Sequence, residues 1–172
     1  DLSVAYETPE TELLACHRRL GVGFYLPNLA SFFRVAYPPD VRVTTVRKPG
    51  PGAPEITWRI ETPLGAIERR RVWEEQTYAW GISRWGIATA ADLRIFAYAM
   101  SRRTFAPKWS NHEAWRTAVG DLGVVYVSPG YSAVGHLLHY WMGVEATHYA
   151  AADMPATLHE VVDAVNANTL DL

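Results

Sequence analysis

His136 and His139 stand three residues apart, a spacing that puts two imidazoles on one face of a helix. Just before them, Tyr131 offers a phenol and an aromatic face, and Ser132 a hydroxyl. An imidazole titrates near neutral pH, so His136 suits a general acid or a hydrogen bond to a substrate. Two imidazoles are also half of a metal site, but such sites take three or four ligands and no third lies near in sequence. The plainer alternative is that both rings are satisfied in the core or at an interface and that Ser132 only caps a helix.

The elements that must hold these residues can be read around them. The apolar run Val124–Val127 suits a strand covered on both faces, as in a parallel sheet. Ser128, Pro129 and Gly130 break that run, and Ser132 stands where a helix cap is needed. Loops at the carboxyl ends of parallel strands are where α/β folds hold ligands. Substrate contacts are therefore expected at Ser128, Gly130, Tyr131 and Ser132, with His136 the catalytic candidate one helical turn on. The first amides of the following helix would add partial positive charge there.

Three further groupings carry chemistry. Arg69, Arg70 and Arg71 are consecutive, and on a strand Arg69 and Arg71 share one face while Arg70 takes the other. Such a pair can hold carboxylates through forked hydrogen bonds. Glu68, Glu74 and Glu75 are close by, so cross-strand ion pairs are the alternative. Trp73, Tyr78, Trp80 and Trp85 form an aromatic group that could floor a flat ligand or simply pack as core. Gly21-Val22-Gly23 is too short for a dinucleotide fingerprint, and no phosphate-binding loop, serine-hydrolase elbow or nucleic-acid motif is present.

Composition narrows the class. With 172 residues, 49% apolar and 20% charged, the chain can bury a sizeable core and is not of disordered type. A net charge of −2 gives no general pull toward nucleic acid or acidic membranes. The single cysteine, Cys16, excludes an intrachain disulfide and any multi-cysteine zinc site, and its setting reads as the buried side of a helix. No run approaches the ~20 apolar residues of a membrane span, and the cytoplasm is the expected compartment.

Along the chain, Thr8-Pro9-Glu10 predicts a helix start, with Thr8 as cap and a stop at Gly21. Val22–Leu26 reads as a short strand. Val41–Val46 and Ile56–Ile60 alternate apolar and polar residues, the pattern of a half-exposed antiparallel pair, and Ala66–Glu74 adds a strand after the Thr62–Gly65 turn. Thr89 and Asp92 predict a capping box before a helix from Leu93 to about Arg102. A helix over Asn111–Val119 precedes the strand at Val124. Helices follow over roughly 133–141, 146–152 and 155–168, the last with Leu158, Val161, Val162 and Val165 on one face. Strands alternating with helices predict an α/β chain, specifically part of a β/α (TIM) barrel with a peripheral antiparallel hairpin at about 41–74. The whole of 1–172 reads as a single domain, the N-terminal portion of a barrel truncated or excerpted.

The order of short motifs carries a resemblance. It runs from Leu20-Gly21-Val22-Gly23-Phe24 through Thr62-Pro63-Leu64-Gly65 and Ala91-Asp92-Leu93 to Gly120-Asp121-Leu122-Gly123-Val124-Val125. The Ser128-Pro129-Gly130 turn, Trp141-Met142-Gly143-Val144-Glu145 and Leu158-His159-Glu160-Val161-Val162 complete it. This resembles the N-terminal half of the uroporphyrinogen decarboxylase superfamily, which holds the haem-pathway decarboxylase and corrinoid- or cobalamin-dependent methyltransferases. The resemblance implies a β/α barrel with its site at the C-terminal mouth. It matches Tyr131 to an aromatic turn residue, Ser132 to a threonine, and His136 to a position where the decarboxylase has a tyrosine facing the tetrapyrrole. The decarboxylase's arginine-rich N-terminal motif is absent. The hairpin and its arginine run look more like the methyltransferase branch, whose zinc ligands lie in the C-terminal half. The expected function is thus corrinoid-linked methyl transfer, with tetrapyrrole decarboxylation or a non-catalytic binding module as alternatives. Zinc and a corrinoid are the implied cofactors of the full-length protein. A small molecule, a tetrapyrrole or corrinoid substrate, a corrinoid protein and a second copy in a homodimer are the implied partners, with no nucleic acid and no membrane. The chain by itself is expected to be inactive.

Overall fold

The computed structural model describes residues 8–26, 32–49, 53–127 and 131–170. In chain order the elements are α1 (Thr11–Leu20), β1 (Phe24–Leu26), β2 (Phe33–Ala36), β3 (Arg42–Lys48), β4 (Glu55–Thr62), β5 (Gly65–Glu74) and β6 (Ala79–Arg84). Then come α2 (Ala90–Met100), β7 (Thr104–Pro107), α3 (Trp109–Val119), β8 (Gly123–Val125), α4 (Ala133–His136), α5 (Gly143–Asp153) and α6 (Pro155–Leu170). Between α4 and α5, Leu137–Trp141 winds as a π-helical turn. The chain divides into two compact units, one of residues 1–36 with 104–130, the other of residues 37–103 with 131–172.

In the first unit, α1 begins after Glu10, two residues later than the Thr8 cap implied, and no side chain caps it. It ends as expected at Gly21, whose φ of 66° lets the Gly21 and Val22 amides turn back onto the Arg18 and His17 carbonyls. Leu14, Phe24, Phe32, Trp115 and Val119 form the core, with Phe24 stacked on Trp115 at 6.1 Å. Strands β1 and β8 pair in parallel, Phe24 with Gly123 and Leu26 with Val125, although about a hundred residues separate them in sequence. The backbones approach so closely that a Cβ on Gly123 would run into the Phe24 carbonyl. Strands β2 and β7, for which the sequence gives no alternating pattern, pair antiparallel.

Two expectations for this unit are corrected. The Val124–Val127 run is not covered on both faces: Val124 is 61% exposed and Val127 is also exposed. Each strand of the β1–β8 pair has one partner among the described residues, so Phe24 turns inward while Tyr25 and Val124 face outward. Cys16 is half-buried rather than a core thiol, with Arg19 Nη2 3.7 Å from its sulfur.

In the second unit the predicted hairpin is larger than its pattern suggested. A four-stranded antiparallel sheet of order β3-β4-β5-β6 extends to Arg84. The turn at Thr62–Gly65 sets the register, pairing Ile60 with Ile67 and Trp58 with Arg69. Between β5 and β6 the register slips at Arg70/Arg71, leaving Ser83 as the extra residue of a bulge. Helix α2 opens on the capping box, Thr89 Oγ1 accepting from the Asp92 amide and Asp92 accepting from the Thr89 amide. It packs on β4 and β5, and α6 packs on α2. Ile60, Ile67, Leu93, Phe96, Leu137, Val161 and Val165 lie in the resulting core, as the apolar face of the last helix predicted. The described residues thus form a mixed α/β structure with an antiparallel sheet, and no closed barrel is formed among them.

Candidate functional site

Ser128 and Gly130 lie outside the described residues. The other three expected site residues sit around the short helix α4, Tyr131 and Ser132 just before it and His136 as its last residue. Ser132 is the helix cap, its hydroxyl accepting the Gly135 amide at 3.2 Å. The Ala133 amide is also taken, donating to Asn166 Oδ1 at 3.0 Å. These two amides are engaged within the protein.

Tyr131 is exposed, and its ring lies 4.8 Å from that of His139, 5.5 Å from Tyr140 and 6.2 Å from His136. The two histidines differ in setting. His139 is exposed, whereas His136 is largely covered, with its ring 5.7 Å from Tyr140. Burial, then the charges of Arg103 and Arg69, push the His136 pKa down to about 4. The ring is therefore neutral at pH 7. It can donate or accept one hydrogen bond to a substrate, but little imidazolium is present there to serve as an acid.

The arginine run supplies the rest of the site. Arg69 and Arg71 share the core-facing side of β5, opposite Ile56 and Trp58 of β4. The Arg69 guanidinium carbon lies 3.9 Å from the Trp58 ring centre, 5.0 Å from Tyr140 and 5.3 Å from Trp141. That of Arg71 lies 5.4 Å from Tyr140, and its Nη2 donates to the His139 carbonyl at 3.5 Å. On the opposite face Arg70 joins a solvated ion-pair network, 3.6 Å from both Glu55 and Glu68, with Arg84 3.2 Å from Glu68. The cross-strand ion pairs read from sequence hold for Arg70. Arg69 is 8% exposed, and its Nε and Nη1 have no hydrogen-bond partner among the described residues. Burial, and to a lesser degree Arg71, lower its pKa to about 10.

The aromatic group read from sequence is only partly assembled. Trp73 meets Tyr78 at 5.1 Å and Trp80 at 5.7 Å, yet Tyr78 is 82% exposed, held at φ 52° in the turn before β6. Trp85 lies apart, against Gly143. The rings that do line the site are Trp58, Tyr140 and Trp141. Sequence reasoning missed them, although the turn at Thr62–Gly65 fixes Trp58 opposite Arg69 and was a readable signal.

No group of three or more His, Cys, Asp or Glu among the described residues could hold a metal ion, so the His136/His139 pair does not extend to a zinc site. Nor is any helix among them long and apolar enough to cross a membrane. Fold and site thus define a mixed α/β protein in which a neutral histidine, a tyrosine, a buried arginine and a second, half-buried one meet beside an antiparallel sheet. No family model, curated protein or solved structure matches the chain.

Proposed function

We propose that the chain forms the first β/α units of a barrel enzyme of the uroporphyrinogen decarboxylase type, acting in the cytoplasm in corrinoid-linked methyl transfer. The observation that supports this most is the parallel pairing of β1 with β8. It joins segments about a hundred residues apart, and in sequence Ser128, Gly130, Tyr131 and Ser132 follow the carboxyl end of β8. In a parallel sheet that end is the ligand-binding edge. The antiparallel sheet lies within the other unit. The described residues offer no ligand set for the zinc ion implied for this branch. Within this reading Tyr131 and Ser132 contact the substrate, and His136 orients it through one hydrogen bond as a neutral ring.

A binding module without catalysis is the second reading, and the depressed pKa of His136 favours it, because no proton donor stands ready at pH 7. Assay of the full-length protein, loaded with zinc, separates the two. Methylcobalamin with a thiol acceptor should yield the demethylated, reduced corrinoid, seen by its absorbance. Formation of coproporphyrinogen from uroporphyrinogen III would instead assign the decarboxylase branch. Neither product would leave the binding module. In an active preparation, His136→Phe should abolish turnover while the melting temperature stays unchanged; full turnover would remove His136 from the site.

A further inference from the structure

A buried guanidinium without a counter-charge is costly, and a native structure that keeps one calls for a partner. Arg69 is in that position. Among the described residues its Nε and Nη1 are shut from solvent and have no hydrogen-bond partner; the Nε atoms of Arg70 and Arg71 also lack one, but Arg70 Nε lies 3.6 Å from the Glu55 carboxylate. Glu68 and Glu55, on the neighbouring stretches of β5 and β4, are engaged by Arg59, Arg70, Arg84 and Lys48. The groups facing Arg69 from the helical side are Tyr140, Trp141 and the neutral His136. None of them is a carboxylate.

We propose that Arg69 and Arg71 form a receptor for the carboxylate of a small organic acid with a flat apolar body. The carboxylate meets the guanidinium fork of Arg69 and shares its charge with Arg71. The apolar body lies among Trp58, Tyr131 and Tyr140. Tyr140 is the side chain that must give way: its ring is half-buried, lies beside both guanidinium groups and belongs to the π-helical turn. A carboxylate is preferred to phosphate because a single negative charge balances the one deeply buried cation, and a second would be desolvated among aromatic rings. The proposal rests on side chains of one unit alone and requires neither the barrel nor the methyl-transfer reading.

The test is titration of the whole chain with benzoate, acetate and inorganic phosphate at constant ionic strength, sodium chloride serving as the control. The arginine Nε–H signals are followed by NMR. The expected result is a saturable downfield shift of the Arg69 Nε–H, with benzoate binding more tightly than acetate or phosphate. Arg69→Met keeps the apolar stem against Trp58 and should weaken benzoate at least tenfold, with the melting temperature unchanged or raised. Arg70→Gln, on the opposite face, should leave binding as it was. If Arg69→Met does not fold, Arg69→Lys takes its place, and a tenfold loss is again expected from the lost fork. No saturable shift in the unsubstituted protein would overturn the proposal. So would binding that survives removal of the Arg69 fork, or phosphate binding more tightly than benzoate. A melting temperature that falls in Arg69→Met with no ligand bound by the unsubstituted protein would make Arg69 a packing element only.

Discussion

The Trp141 carbonyl accepts the Gly86 amide at 2.9 Å, and the Trp141 ring lies where a Cβ on Gly86 would stand, 2.6 Å from its nearest atom. The Ile87 amide donates to the same carbonyl at 3.0 Å. This double contact ties the loop after β6 to the π-helical turn, and so fixes where Tyr140 and His139 face. Gly86→Ala should destabilise the protein by about 1–3 kcal/mol, the usual cost of overpacking a filled site. Urea denaturation measures it; unchanged stability would mean that the ring moves aside freely.

His136 should give the protein an acid-side slope. Its pKa is about 4 when folded, against about 6.5 for an unperturbed histidine. Between those values the unfolded chain binds the extra proton, so stability falls as the pH drops. The contribution is complete above pH ~6.5, declines through that window by about 3 kcal/mol, and is flat below pH ~4. His136→Gln should remove that part of the slope. Denaturation midpoints between pH 4 and 7 that match in both proteins would contradict it.

The capping box of α2 predicts a local effect. Thr89→Ala removes the acceptor of the Asp92 amide and should cost about 1 kcal/mol. Thr89→Ser keeps the hydroxyl and should restore most of it. Equal losses in the two variants would show that the methyl group, not the cap, matters.

Trp115 carries the first unit's core. It is fully buried and stacked on Phe24, so Trp115→Ala should destabilise by about 3–5 kcal/mol. Trp109 is 62% exposed, and Trp109→Ala should change stability by less than about 0.5 kcal/mol. Denaturation followed by circular dichroism compares the two.

Local chemistry made much of this legible from residues alone. Gly21 ends α1 because only glycine takes its left-handed conformation without strain, and Thr89 with Asp92 opens α2 because both side chains reach orphan amides. The alternation in Val41–Val46 and Ile56–Ile60 announced an antiparallel pair, and period 2 placed Arg69 and Arg71 on one face. Ser132 was readable as a cap for the same short-range reason. These signals lie within a few residues of the group they satisfy.

What sequence alone could not decide depends on groups brought from far along the chain. β2 and β7 are four residues each and stabilise one another only once folded, so neither shows a pattern of its own. Val124–Val127 has the composition of a doubly covered strand, but exposure is set by neighbours, and the described strands offer one. Arg69 and Arg70 are identical side chains one residue apart. Register sends Arg70 to waiting glutamates, and the packing of the π-helical turn closes Tyr140 and Trp141 over Arg69. The same closure removes His136 from water and makes it a neutral ring, because burial and a nearby cation both oppose its proton.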